Sequence, residues 1–261
     1  MRRSLTELAG NPDLISGIYN YCDRWCERCP FTSRCLVYAT EKEDEDESPE
    51  SCDTTNEAFW RKLGSIFQEA QEMISSWAEE AGVDLTEIDE EREAQREKRH
   101  TDAARHRLAL AGKEYANAVT EWFRELSETI TSSDVAADET DLALSEQFQD
   151  VSEVIHWYQY QIAVKTMRSL SSRSREEDPA EWEPDEPYPK DSDGSAKVAL
   201  VGIDRSINAW HSIQLCLPEK AGCIIPLILR LEQLRQRTER EFPDARDFIR
   251  PGFDEVLGEV N

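Results

Sequence analysis

The sequence predicts an all-α protein, a helical bundle of about five long helices with a short N-terminal cysteine-rich metal knot. Three observations carry that expectation. Apolar residues recur at spacings of three and four through most of the chain, which is the period of a helix with one buried side. Strand signal is almost absent, and glycine is sparse at ten residues. Four of the seven cysteines fall between Tyr19 and Tyr38, a density that four thiolates around one point would explain.

A chain of 261 residues is enough for one large or two modest domains, and 39% hydrophobic content with seven tryptophans can fill a real core. Against 30 Lys and Arg stand 55 Asp and Glu, a formal net charge of -25. Such a surface repels phosphate backbones and anionic lipid, so neither nucleic acid nor membrane is expected as a partner. No apolar run approaches the roughly 20 residues that cross a bilayer. Asn11, Pro12 and Asp13 interrupt the stretch after Met1 where an export signal would have its apolar core, so the expected location is cytoplasmic.

Residues 1–38 read as a cysteine-rich metal-binding segment. Asn11 or Asp13 can cap a short helix through Leu14, Ile15, Ile18 and Tyr19. Cys22, Cys26, Cys29 and Cys35 follow the spacing C-x3-C-x2-C-x5-C. A helical turn and a half would put the first three sulfurs on one face. Pro30 would end that helix, and Phe31 to Arg34 would give slack to return Cys35 as the fourth ligand. Four cysteines in so short a span suit a [4Fe-4S] cluster, although this run is looser than the compact ferredoxin version. Structural zinc is the alternative, but it more often uses two C-x2-C knuckles, and only Cys26 to Cys29 forms one. An odd cysteine count in an acidic chain argues against a disulfide framework.

Cys22-x3-Cys26-x2-Cys29 also resembles the three-cysteine signature of radical S-adenosylmethionine enzymes. Those enzymes use a barrel of alternating strands and helices, for which this chain has no signal, and Cys35 would close the iron they leave open. The aromatics Tyr19, Tyr21, Trp25, Phe31 and Tyr38 interleave with the cysteines and are expected to pack the knot against the body and exclude water.

Residues 39–58 read as an acidic disordered loop, with Cys52 as a bystander thiol. The bundle core is assigned to 59–172. Phe59 to Ala81 carries an apolar stripe expected to be buried, ending at Gly82. Thr86 is expected to cap a charged stretch reaching Arg107, and the stripe returns from Leu108 to Leu126. Leu142 to Leu170 is apolar on two sides, which predicts the central helix. Residues 173–194 form an acidic, Pro-rich linker. Residues 195–261 complete the bundle with helices near Ser195 to Trp210 and Pro226 to Glu241, and Cys216 and Cys223 flank the break between them.

A second constellation lies in the predicted bundle. Glu153 and His156 have the Glu-x-x-His spacing of ferritin-like di-metal proteins, and Asp204 and His211 would be their nearest counterpart. That set is incomplete for a metal pair, so the plainer expectation is a polar layer in which the four satisfy one another. The expected function is a cysteine-ligated metal protein with a redox or sensing role and a protein or redox partner. Two alternatives stand beside it: structural zinc on a protein interaction module, and a ferritin-like di-metal oxidoreductase. No catalytic residue is assigned.

Overall fold

The computed structural model describes Leu8 and residues 10–45, 53–85, 90–131, 139–178 and 190–254. Their regular secondary structure is all helical, with no strand among the described residues. The α-helices are α1 (Leu36–Glu45), α2 (Glu57–Ala81), α3 (Glu90–Arg105), α4 (Arg107–Thr131), α5 (Glu139–Glu176), α6 (Asp191–Cys216) and α7 (Ala221–Glu241). The five long helices expected are therefore joined by α1 and by the charged α3. α1 runs into the stretch read as a loop from residue 39, and residues 46–52, including Cys52, lie outside the described residues, as does Thr86. The expected linker shrinks from both sides, because α5 continues to Glu176 and α6 begins at Asp191.

The chain divides into two compact units, one of Met1–Tyr19 and Cys26–Arg96, the other of Asn20–Trp25 and Glu97–Asn261. In the first, no α-helix runs from Leu14 to Tyr19, and only a 3-10 turn forms over Ile18–Asn20. Turns replace it, with the Asp13 N–H on Asn11 Oδ1 at 3.0 Å and the Ile15 N–H on the Arg34 carbonyl at 2.9 Å. α2 is well bounded. Asn56 caps its start by accepting the Ala58 N–H at 2.9 Å, and Gly82 ends it in the left-handed conformation at φ 67. Its apolar stripe was expected to be buried, yet Phe67, Met73, Ile74 and Trp77 are exposed, Phe59, Leu63, Ile66 and Ala70 are half-buried, and the one buried residue of the helix is Ala78, outside the stripe. The pattern was right about a helix with an apolar face, but among the described residues α2 makes no extensive packing with another element.

The second unit is a ring of four helices. α4 packs on α5 and α7, and α6 packs on the same two. Between them lies one core, including Tyr115, Trp122, Ile155, Ile162, Leu200, Trp210 and Leu231. Trp210 donates its indole N–H to the Tyr115 hydroxyl at 2.9 Å, so the largest buried side chain is also polar-satisfied. Phe242, Ala245 and Phe248 dock the tail after α7. The break between α3 and α4 comes at His106, whose Nδ1 accepts the Leu108 N–H at 3.3 Å.

The central helix is α6 rather than the one spanning Leu142 to Leu170. Fourteen of its 26 residues are buried, whereas Tyr160 and Val164 of α5 are exposed. The reason is size. Ser192, Ser195, Ala199, Gly202, Ser206 and Ala209 recur three and four apart along α6, and side chains this small let neighbouring backbones approach. At Gly202 a Cβ would sit 2.9 Å from the Tyr158 ring. Pro226, expected in the first helical turn, lies inside α7, which begins at Ala221.

Candidate metal centre

The helix expected to align Cys22, Cys26 and Cys29 does not form. Arg24 adopts φ 59, the left-handed region that a non-glycine residue rarely enters, and this interrupts any helix across the segment. A 3-10 turn follows over Cys26–Arg28, closed by the Cys29 N–H on the Cys26 carbonyl at 3.2 Å. A second turn, Thr32–Arg34, delivers the chain to Cys35. The Cys35 carbonyl accepts the Ala39 N–H at 2.9 Å, so this cysteine stands at the N-terminus of α1.

Two of the sulfurs accept a backbone N–H from the residue two positions on. Phe31 donates to Cys29 Sγ at 3.4 Å, and Arg24 donates to the Cys22 sulfur from its left-handed turn. Burial pushes the Cys22 thiol up, and the Arg24 N–H and the nearby Arg24 and Lys165 charges pull it back. Burial pushes the Lys165 ammonium down, with Arg168 adding to the shift, while Cys22 and Asp191 oppose it. The four cysteines of the run are each half-buried, and none of the six described cysteines is in a disulfide. Among the described residues, no three or more His, Cys, Asp or Glu side chains are gathered into one metal-sized group.

The segment Asn20–Trp25 is fixed within the four-helix unit by the residues on either side of Cys22. Asp23 is the hub. Its carboxylate accepts the Tyr158 hydroxyl and pairs with the Arg205 guanidinium at 2.6 Å. Its carbonyl accepts the Trp157 indole N–H at 2.9 Å and the Gln161 amide. Burial first, then Asp23, pushes the Tyr158 phenol up, which keeps it protonated as the donor this geometry needs. Trp25 stacks on Trp157 with centroids 4.9 Å apart and an interplanar angle of 14°. Tyr21 meets Phe248 edge-on at 4.7 Å, and burial together with Asp191 pushes its phenol up to about 12. Gly194 makes room for that ring, since a Cβ there would lie 2.3 Å from it.

Comparison of the chain with protein-family models, curated proteins and solved structures finds no match. The geometry therefore has to carry the functional reading.

The second constellation does not come together as one group. Asp204 is taken by two arginines, Arg246 at 2.6 Å and Arg235 at 3.5 Å, and Arg246 also holds Glu239 at 2.8 Å. The His156 ring lies over Phe123 with centroids 4.1 Å apart, and although the residue as a whole is exposed, desolvation of the covered part of the ring pushes its pKa down. Glu153, His156 and His211 are exposed, so no buried layer joins the four. The anchoring residue that sequence reasoning missed is Asp23. It sits in plain view between two cysteines, but its partners Tyr158 and Arg205 are 135 and 182 residues away.

Proposed function

We propose that Cys22, Cys26, Cys29 and Cys35 bind a metal centre, a [4Fe-4S] cluster, and that the protein serves a redox or sensing role. The observation that supports this reading is the pair of N–H···S bonds at Cys22 and Cys29. A neutral thiol is a weak acceptor, whereas a metal-bound thiolate carries charge that backbone N–H groups stabilise. Placing Arg24 in a left-handed conformation costs on the order of 1 kcal/mol, and that cost is consistent with a sulfur that has to be held in place. When bound, the cluster would supply one-electron transfer, with its potential tuned by hydrogen bonds to sulfur and by solvent exposure. The chain's own contribution is to orient the thiolates, neutralise part of their charge with Arg24 and Lys165, and shield Cys22. The partner in this reading is a protein that donates or accepts an electron.

Zinc is the second reading, favoured by the Cys26–Arg28 turn, which makes one C-x2-C knuckle. The ferritin-like alternative loses support because Asp204 is engaged by Arg235 and Arg246.

Anaerobic purification followed by analysis of iron, acid-labile sulfide and zinc tests the proposal. Iron with sulfide supports the cluster, zinc alone supports the knuckle reading, and neither metal sinks both. Replacing Cys22, Cys26, Cys29 or Cys35 by Ser should each remove most of the metal, and Cys52→Ser should leave it.

A further inference from the structure

Trp157, Gln161 and Lys165 lie four residues apart on one side of α5, and all three reach the backbone that flanks Cys22. Trp157 and Gln161 donate to the Asp23 carbonyl, and the Lys165 ammonium donates to the Asn20 carbonyl at 3.5 Å. The side chains of the same segment are held as well. Tyr21 lies against Gly194 and Phe248, Trp25 stacks on Trp157, and the Asp23 carboxylate takes the Tyr158 hydroxyl and the Arg205 guanidinium. Tyr21 and Asp23 are the immediate neighbours of Cys22, so anchoring them leaves its sulfur little freedom of its own. The later turns of the run are closed locally, by the Cys29 N–H on the Cys26 carbonyl and the Cys35 N–H on the Thr32 carbonyl, each at 3.2 Å. The place of Cys22 is instead set by residues 134 to 182 positions beyond Asp23.

We propose that Tyr158 and Arg205 are positioning residues for metal binding, which act through Asp23 to fix Cys22 as a ligand. This rests on the metal reading of the four cysteines. A ligand that has to be ordered when the metal arrives gives up conformational freedom at that moment, whereas a docked segment has given it up during folding. Partners one step removed from the ligands typically change metal affinity by about 10–100-fold. The two residues contribute differently. Tyr158 fixes the direction of the carboxylate from the buried core, and Arg205 balances its charge from the surface. Either can be removed while the bonds from Trp157 and Gln161 to the Asp23 carbonyl remain. By reciprocity, an occupied centre tightens the docking by the same factor, which gives occupancy a route into α5 and α6.

Anaerobic titration of the metal-free full chain with cobalt(II) tests this, because thiolate-to-cobalt charge-transfer absorption grows with each cysteine bound. The wild type should give the spectrum of four thiolates. Tyr158→Phe and Arg205→Gln should each weaken cobalt binding, and together by about tenfold, with the absorption falling toward that of Cys22→Ser. Phenylalanine keeps the ring in the core and the Arg205 side chain is 53% exposed, so helix content by circular dichroism should stay at the wild-type level. The deciding measurement repeats both substitutions in a Cys22→Ser background. There they should change cobalt affinity less than about twofold, since the ligand through which they act is gone. Equal weakening with and without Cys22 would make Tyr158 and Arg205 general supports of the fold and overturn the inference. Variants that bind cobalt as the wild type does also overturn it, and leave the metal reading standing. A wild type whose cysteines take no cobalt overturns the metal reading itself, and the inference with it.

Discussion

Replacing Asp23 by Ala should destabilise the four-helix unit by about 2–3 kcal/mol, and the figure follows from its contacts. The carboxylate accepts the hydroxyl of Tyr158, a residue with 0% exposure, so its loss orphans a buried donor at a cost of about 1–3 kcal/mol. The ion pair with Arg205 adds no more than about 1 kcal/mol, because that side chain is 53% exposed and water screens it. The bonds from Trp157 and Gln161 survive, since they end on the Asp23 carbonyl. In a unit of this size the loss corresponds to a fall in Tm of roughly 4–12 °C. Urea unfolding followed by circular dichroism, with tryptophan fluorescence reporting the Trp25–Trp157 stack, would measure it. Tyr158→Phe removes the same bond from the other side, so the double variant should cost less than the two single losses combined, by about 1 kcal/mol. Stability within about 0.5 kcal/mol of wild type for Asp23→Ala, or strict additivity in the cycle, would refute the hub.

Two glycine substitutions should have opposite signs. Gly194→Ala would put a Cβ 2.3 Å from the Tyr21 ring and 2.7 Å from Phe248, and should cost about 1–3 kcal/mol by thermal melting. Gly222→Ala in α7 meets nothing within 4 Å and should add up to about 1 kcal/mol through helix propensity. His156 should make stability fall as pH drops. Partial desolvation of the ring against Phe123 lowers its pKa below the ordinary 6.5, so the unfolded chain binds the proton more readily and the neutral ring's contribution is lost as pH falls below that value. Denaturant midpoints at pH 7.5 and 5.5 should therefore differ more for wild type than for His156→Gln, and equal differences would refute the assignment.

Much of the helical framework was legible in the sequence. Gly82 marked the end of α2, and the stripe from Leu108 marked α4, because caps and period are local properties. The docking of Tyr21 and Trp25 was also legible, since aromatics beside a polar turn need an apolar partner. The central role of α6 was not. Its small residues lower the hydrophobic signal of the very face that packs most closely, so the apolar Leu142 to Leu170 stretch looked more buried than it is. The α2 stripe showed a face that favours burial without showing what would cover it. The turn at Cys22 escaped because Arg24 is an unexpected residue at positive φ. Asp23 escaped because charge pairs across 182 residues leave no periodic trace.

The distance between Asp23 and Arg205 along the chain has a consequence for synthesis. The segment Asn20–Trp25 leaves the ribosome before the helices it docks on, and the guanidinium that completes its ion pair is 182 residues further on. At ordinary translation rates that is a wait of roughly 10–35 s, during which Trp25 has no Trp157 or Tyr158 to stack against for most of the interval. Closing so long a loop is entropically expensive and comes late, so this segment is among the last parts of the four-helix unit to settle. Newly made chains would pass through a stage in which the helices have begun to assemble while Cys22 is still unanchored and open to solvent, oxidant and chaperone alike.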